Sequence, residues 1–293
     1  MKTKKTVSIL TIFIIILAIA ATLAGLCSRW TKSIPNIVTA FGENIELYQI
    51  GLYARDSVSM ASQAIAQDLV TLIIGIPLLA AALFLVCRKD SIRGWFLLTG
   101  TLGYFLYTYT SYAFLMMYNH LYLMYIALMV LSFYAFLLSM SALHQHDIAE
   151  LFSDKYPVRA LSVFLLIVGL TLCVMWLGRI VPTITNDTAP YGLEHYSTLG
   201  IQSLDLGFVV PAAFVSAYLL HKRAKWGYLL SAVLVMKMLT MAAAVSAMGI
   251  NMKLHGVEMG LADVIVFPVI VLINICFLVK MLGAMHRASL KEV

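Results

Sequence analysis

Charge is what this sequence has least of. Only 12% of its 293 residues are Asp, Glu, Lys or Arg and 62% are hydrophobic, against about 25% and 45–50% in a soluble domain. A fold in water has too few polar residues here to cover that apolar mass. Cysteine is equally uninformative: Cys27, Cys87, Cys173 and Cys276 are scattered through apolar runs without a CxxC pair, which removes thiol oxidoreductase chemistry. No histidine falls inside an apolar run, so a haem held between opposed histidines is excluded. The absence of a glycine-rich Walker loop removes a self-contained ATP-driven pump. A formal charge of +6 comes without a basic stripe interleaved with aromatics, so no nucleic-acid partner is expected. Glu194, His195 and Asp205 offer too few soft ligands for a specific metal site, and no metal or cofactor is expected.

What the chain does have is apolar runs of membrane-spanning or nearly spanning length, at 7–27, 69–87, 95–117, 121–143, 160–178, 204–220, 227–248 and 263–285. They predict an all-α, polytopic helical bundle of eight transmembrane helices, one membrane domain over 1–293 with the lipid bilayer as its solvent. The run from Thr6 to Cys27 exceeds the apolar core of a secretory signal, so it reads as an uncleaved first span. With the N-terminus inside, 13 of the 20 Lys and Arg lie on the inner side and five (Arg29, Lys32, Arg55, Arg179, Lys253) on the outer. That asymmetry predicts both termini in the cytoplasm of a bacterial cell. Two outer loops, 28–68 and 179–203, are long enough to be structured, and "NIELYQIGLYARDSVSMASQAIAQD" is expected to lie as one or two interfacial helices.

Helices 1–4 resemble helices 5–8. "AIAQDLVTLIIGIP" opens the second helix and "GIQSLDLGFVVP" the sixth; each ends at a basic turn followed by Trp, "RKDSIRGW" and "HKRAKW". This predicts a 4+4 parallel repeat with halves 1–143 and 159–287, related by an axis along the membrane normal.

Asp68, Asp205 and Asp263 stand at the outer starts of inward-running helices, where a carboxylate can simply cap free N–H groups. Asp205 is distinguished by its short span. Between it and His221 lie 15 residues, covering about 22 Å of a hydrocarbon layer about 30 Å thick, so this acid is expected to border an enclosed polar pocket. Pro77, Pro211 and Pro268 interrupt three inward-running helices in their outer halves. Lys237 lies in mid-span and is expected to face the bundle. Arg179, Glu194, His195 and Gln202 lead along the outer loop into Asp205 and complete the pocket. Tyr104, Thr108 and Ser111 share one helical face, while the other tyrosines near 107–125 read as an interfacial belt.

The motifs "ELYQIGLYARDSV", "QDLVTLIIGIP", "LGYFLYTYTSYAF…YN", "LEHYSTLGIQSLDLGFVVP" and "WGYLLSAVLVMKMLTMAAAVSAM", in this order, resemble a group of bacterial polytopic membrane proteins that carries no assigned activity. The resemblance covers the chain from about residue 40 onward and implies no site residue. The function expected first is a small-solute transporter or permease component, with catalytic residues unknown. A receptor, regulatory or assembly subunit with a protein partner comes second, and an enzyme acting on lipid third.

Overall fold

The structure, a computed structural model, describes residues 2–257 and 261–285, with the backbone alone at 261–264. Ten helical segments among the described residues line up as eight rods. They are α1 (Lys2–Cys27), α2 (Val58–Val70) continued by α3 (Ile76–Lys89), α4 (Ile92–Leu115), α5 (Tyr122–His144), α6 (Val158–Asn186), α7 (Gly200–Leu204) continued by α8 (Val210–His221), α9 (Lys225–Leu254) and α10 (Leu261–Ala284). Two of the rods are spliced by π-helical turns, Thr71–Gly75 and Asp205–Val209.

Seven of the eight rods are long and apolar enough to cross a membrane. The eighth is α4, whose sequence "TGTLGYFLYTYTSY" is rich in Gly, Thr and Tyr. Its composition follows from its position. α4 packs against α3, α5 and α9 and is buried on nearly every side, so it presents little surface to lipid. Around it, α9 packs on α2, α8 and α10, and α1 packs on α5. α1 buries Val7, Thr11, Ile14, Ala18, Ala21 and Gly25, and α5 buries Tyr125, Leu128, Ser132, Ala135 and Ser139. Those alternating steps of three and four give each helix one straight packing seam. α6 and α10 lie at the periphery and meet at Phe164 and Phe277, ring centres 4.9 Å apart. Beside that contact runs a groove of about 470 Å³ lined by Arg159, Val163, Ile167 and Phe277.

Contacts between helix ends fix the alternation of the rods. At one end of the bundle Lys4 Nζ donates to Asp90 at 2.8 Å, Arg93 donates to the Met285 carbonyl at 2.6 Å, and His144 stacks on Trp226 at 4.3 Å. At the other end the Met117 N–H donates to Asp56 at 2.9 Å and the Asn251 amide to the Ser62 carbonyl at 2.7 Å.

The loop segments differ from their sequence reading. Residues 37–53 form a small hairpin, β1 (Ile37–Val38) with β2 (Asn44–Ile45), and a 3-10 turn at Gly51–Tyr53. From Val58 onward the chain is already α2, its N-terminus capped by Ser57 accepting from the Met60 N–H at 3.1 Å. Ala61, Ala64, Gln67 and Asp68 bury against neighbouring rods instead of lying along an interface. α6 likewise continues through Pro182 to Asn186, because one proline removes a single backbone bond, so the second outer loop starts eight residues later than expected. Glu258, Arg287 and Lys291 fall outside the described residues.

Candidate functional site

Proline explains both π turns. Pro77 and Pro211 each follow their turn by two residues. A proline lacks an N–H, and its ring crowds the carbonyl four residues back, here those of Ile73 and Gly207. The residue before each proline reaches back five positions instead: the Ile76 N–H bonds the Thr71 carbonyl and the Val210 N–H the Asp205 carbonyl. Such bulges occur frequently at functional sites. Pro268 sits within α10 without a π turn.

Asp205 opens the second π turn and is 9% exposed. Its Oδ1 accepts from the Tyr107 hydroxyl of α4 at 2.7 Å and its Oδ2 from the Trp176 indole N–H of α6 at 2.9 Å. Lys237 of α9 places Nζ 4.2 Å from the centre of the Tyr107 ring. Arg179 lies over Trp176 and over Tyr191, 5.2 Å from each ring centre. One carboxylate thus sits between two aromatic side chains, and each of these carries a cation on its face. Contacts of this kind are worth about 0.5–1 kcal/mol when exposed and about 2 kcal/mol when desolvated, and both cations here are part-buried. Neither cation touches the carboxylate; Lys4–Asp90 is the one ion pair among the described residues. Counting about 1.5 Å per residue from the Lys4–Asp90 end, Lys237, Tyr107 and Asp205 all lie roughly 18–24 Å along the bundle, one layer.

This arrangement corrects how Asp205 comes to be buried. Its helix is not short: the rod runs over Gly200–His221, 22 residues. Gln202 and Ser203 are polar, yet they continue the helix outward. Asp205 therefore sits one turn inside rather than at the helix start, buried by side chains. Neither of the two hollows described, the α6–α10 groove and the outer cleft below, is lined by it.

Asp68 is not a cap either. It lies ten residues beyond Val58 in α2 and is 3% exposed. The Tyr53 hydroxyl donates to its Oδ2 at 2.5 Å and the Tyr112 hydroxyl stands 3.0 Å from its Oδ1 and 2.9 Å from the Ala64 carbonyl. Beside it the Gln67 amide donates to Tyr104 at 2.7 Å and to Thr108 at 3.0 Å, and Tyr104 shares a 2.8 Å hydrogen bond with Thr71. The predicted Tyr104–Thr108 face is therefore a polar seam, whereas Ser111 bonds its own helix at the Thr108 carbonyl. A Cβ on Gly25 would run into Asp68 Oδ2 and the Tyr53 hydroxyl; glycine lets α1 close over the carboxylate. Tyr109, Tyr112 and Tyr125 are buried in this core rather than arrayed in an interfacial belt.

Glu194 and His195 belong to a third place, the outer end of α2. Glu194 accepts from the Ser57 hydroxyl, and Tyr196 donates to Asp56 at 3.0 Å while accepting from the Ser57 N–H at 3.3 Å. The second outer loop is thereby pinned across the cap of α2. Burial pushes the Asp56 carboxyl up to about 7, against the pull of the Met117 and Tyr196 hydrogen bonds and with a smaller push from Glu194. Burial also raises Glu194 and lowers His195, whose ring packs on Tyr196 at 4.5 Å. Glu46, Ser57, Glu194 and His255 line an outer cleft of about 270 Å³.

Of the residues expected to share one pocket, Asp205, Lys237 and Arg179 are brought together, through Tyr107 and Trp176. Asp68 and Tyr104 form a neighbouring network that meets α4 at Tyr104, Thr108 and Tyr112, and Glu194 and His195 stand apart. Gln202 is half-buried and makes no side-chain hydrogen bond among the described residues. The side chain of Asp263 lies outside the described residues. Sequence reasoning missed Tyr107, Trp176, Tyr53, Tyr112 and Asp56. A polar-tipped aromatic in mid-span was the available signal for Tyr107; Trp176, two residues from the end of its apolar run, gave none.

Fold and site together define a multi-pass helical membrane protein with buried carboxylates inside the bundle. Comparison with protein-family models, with curated proteins and with solved structures found no match.

Proposed function

We propose that this chain is a small-solute transporter, or the permease component of one, in the bacterial cytoplasmic membrane, with both termini inside and eight spans built from a duplicated four-helix unit. The observation that carries the reading is the pair of proline-spliced rods flanking the central α4–α9 contact, each with a buried carboxylate that has no ion partner among the described residues. Interrupted helices facing each other near the membrane interior are a recurrent way of building a transport site.

The duplication draws support from several correspondences. Aligned on Pro77 and Pro211, the π turns coincide residue for residue. In that register Asp205 corresponds to Thr71 and Asp68 to Gln202, so the two halves carry their acids one turn apart. α3 packs on α4 as α8 packs on α9, α4 on α5 as α9 on α10, and the halves exchange α2 onto α9 and α7 onto α4. The basic residues at the Lys4–Asp90 end support an inner face there.

Asp205 flanked by Lys237 and Arg179 favours a small charged solute. A comparison of uptake profiles between cells with and without the gene identifies it. Asp205→Asn and Lys237→Met are then expected to remove that uptake while the protein stays folded in the membrane. Full uptake in both variants overturns the proposal.

A further inference from the structure

The hydrogen-bond contacts around Asp68 can be counted against the protons available to them. Three contacts take a proton each when none is shared: Tyr53 to Oδ2, Tyr112 to Oδ1, and Tyr112 to the Ala64 carbonyl. The two tyrosines supply two, because a phenol has one O–H. The neighbouring network lends none: the two Gln67 amide protons serve Tyr104 and Thr108, one hydroxyl proton joins Tyr104 to Thr71, and the hydroxyls of Tyr104, Thr71 and Thr108 make no hydrogen bond to Asp68 among the described residues. If Asp68 is itself protonated the count closes. Its O–H donates to the Tyr112 oxygen, the Tyr112 O–H to Ala64, and the Tyr53 O–H to the remaining carboxyl oxygen.

The surroundings agree with a neutral acid. The groups facing Asp68 are Tyr53 from the 3-10 turn, Tyr104, Tyr109 and Tyr112 from α4, Tyr125 from α5 and the backbone of Gly25 from α1. No basic side chain pairs with it among the described residues. A carboxylate buried here has two hydroxyl donors but no counter-charge among the described residues to offset the loss of its hydration.

We propose that Asp68 is a proton-binding site, occupied at neutral pH, and that its ligand is the proton rather than a metal cation. Its use as the coupling site of transport rests on the reading given above; the protonation does not.

Infrared difference spectroscopy on the whole protein in lipid nanodiscs near neutral pH tests it. A protonated-carboxyl C=O band is expected in the parent protein, sensitive to H/D exchange, lost in Asp68→Asn and kept in Asp205→Asn. Tyr112→Phe, which removes the partner of the acid proton, is expected to keep the band and move it to higher frequency. If Asp68→Asn does not fold, the Tyr112→Phe shift decides alone. A spectrum without an Asp68-dependent band, a band unmoved in Tyr112→Phe, or a melting temperature raised by sodium but not by choline overturns the assignment. The band with no gene-dependent uptake sinks the transport reading alone; uptake without the band sinks the proton site alone.

Discussion

At Asp56, burial and hydrogen bonding act in opposite directions, and burial prevails. The carboxyl ionises near its ordinary 3.8 when the outer segment is undocked and at about 7 when it is docked. Between those values the docked form holds a proton that the undocked form has released, so docking weakens as pH rises from about 4 to about 7 and is level above that. A separation of about three pH units bounds the effect at about 4 kcal/mol. Glu194, also raised by burial, adds in the same direction. Amides of residues 44–57 are thus expected to exchange more slowly at about pH 5 than at about pH 8 after correction for intrinsic rates, and Asp56→Asn to shrink the difference to what Glu194 and the oppositely acting His195 leave. Greater protection at the higher pH would mean that the hydrogen bonds from Met117 and Tyr196 outweigh the burial.

Between single residues and the bundle stand the two spliced rods, where proline sets the aim of the side chains. With proline in place the Val210 N–H reaches Asp205 and the helix carries one extra residue in that turn. Pro211→Ala returns an N–H to the Gly207 carbonyl and lets the turn relax to an α-helix. That change rotates Asp205 by about 100° relative to α8 and away from the Trp176 indole. In a variant whose only tryptophan is Trp176, the emission maximum is expected to shift to the blue on Pro211→Ala, with the melting temperature unchanged or raised. An unshifted spectrum would show that packing against α6, not proline, holds the turn. The spans themselves were legible in the sequence because a run such as Ile9–Leu23 admits no soluble reading. The prolines were legible too, but not their π turns, because whether a freed carbonyl kinks a helix or widens it depends on the packing of α4 and α6 around it. Arg179 was placed in the outer loop because the apolar run ends at Gly178, and Asp68 at a helix start because its apolar run begins at Leu69, whereas both helices continue through the polar residues beyond.

For the whole molecule the question is which end faces the cytoplasm. The charge pattern spoke to this from the start, and the structure gathers Lys4, Asp90 and Arg93 at one end of the bundle. What the sequence could not convey was which rods touch, since an apolar surface in lipid has no preferred partner; small residues along seams such as Gly25 on α1 decide that. Two of the protein's own cysteines report the orientation. Cys27 ends α1 at the outer-loop end, and Cys87 lies near the opposite end of α3, beside Ser8 at 3.3 Å; both are exposed and neither forms a disulfide. Cys173 and Cys276 lie within α6 and α10, where lipid shields them from an aqueous reagent. In single-cysteine variants in intact cells, a membrane-impermeant maleimide is expected to label Cys27 directly and Cys87 only after the membrane is permeabilised. The reverse pattern would invert the molecule, put the Asp56–Glu194 cap in the cytoplasm and reverse the direction from which a proton reaches Asp68.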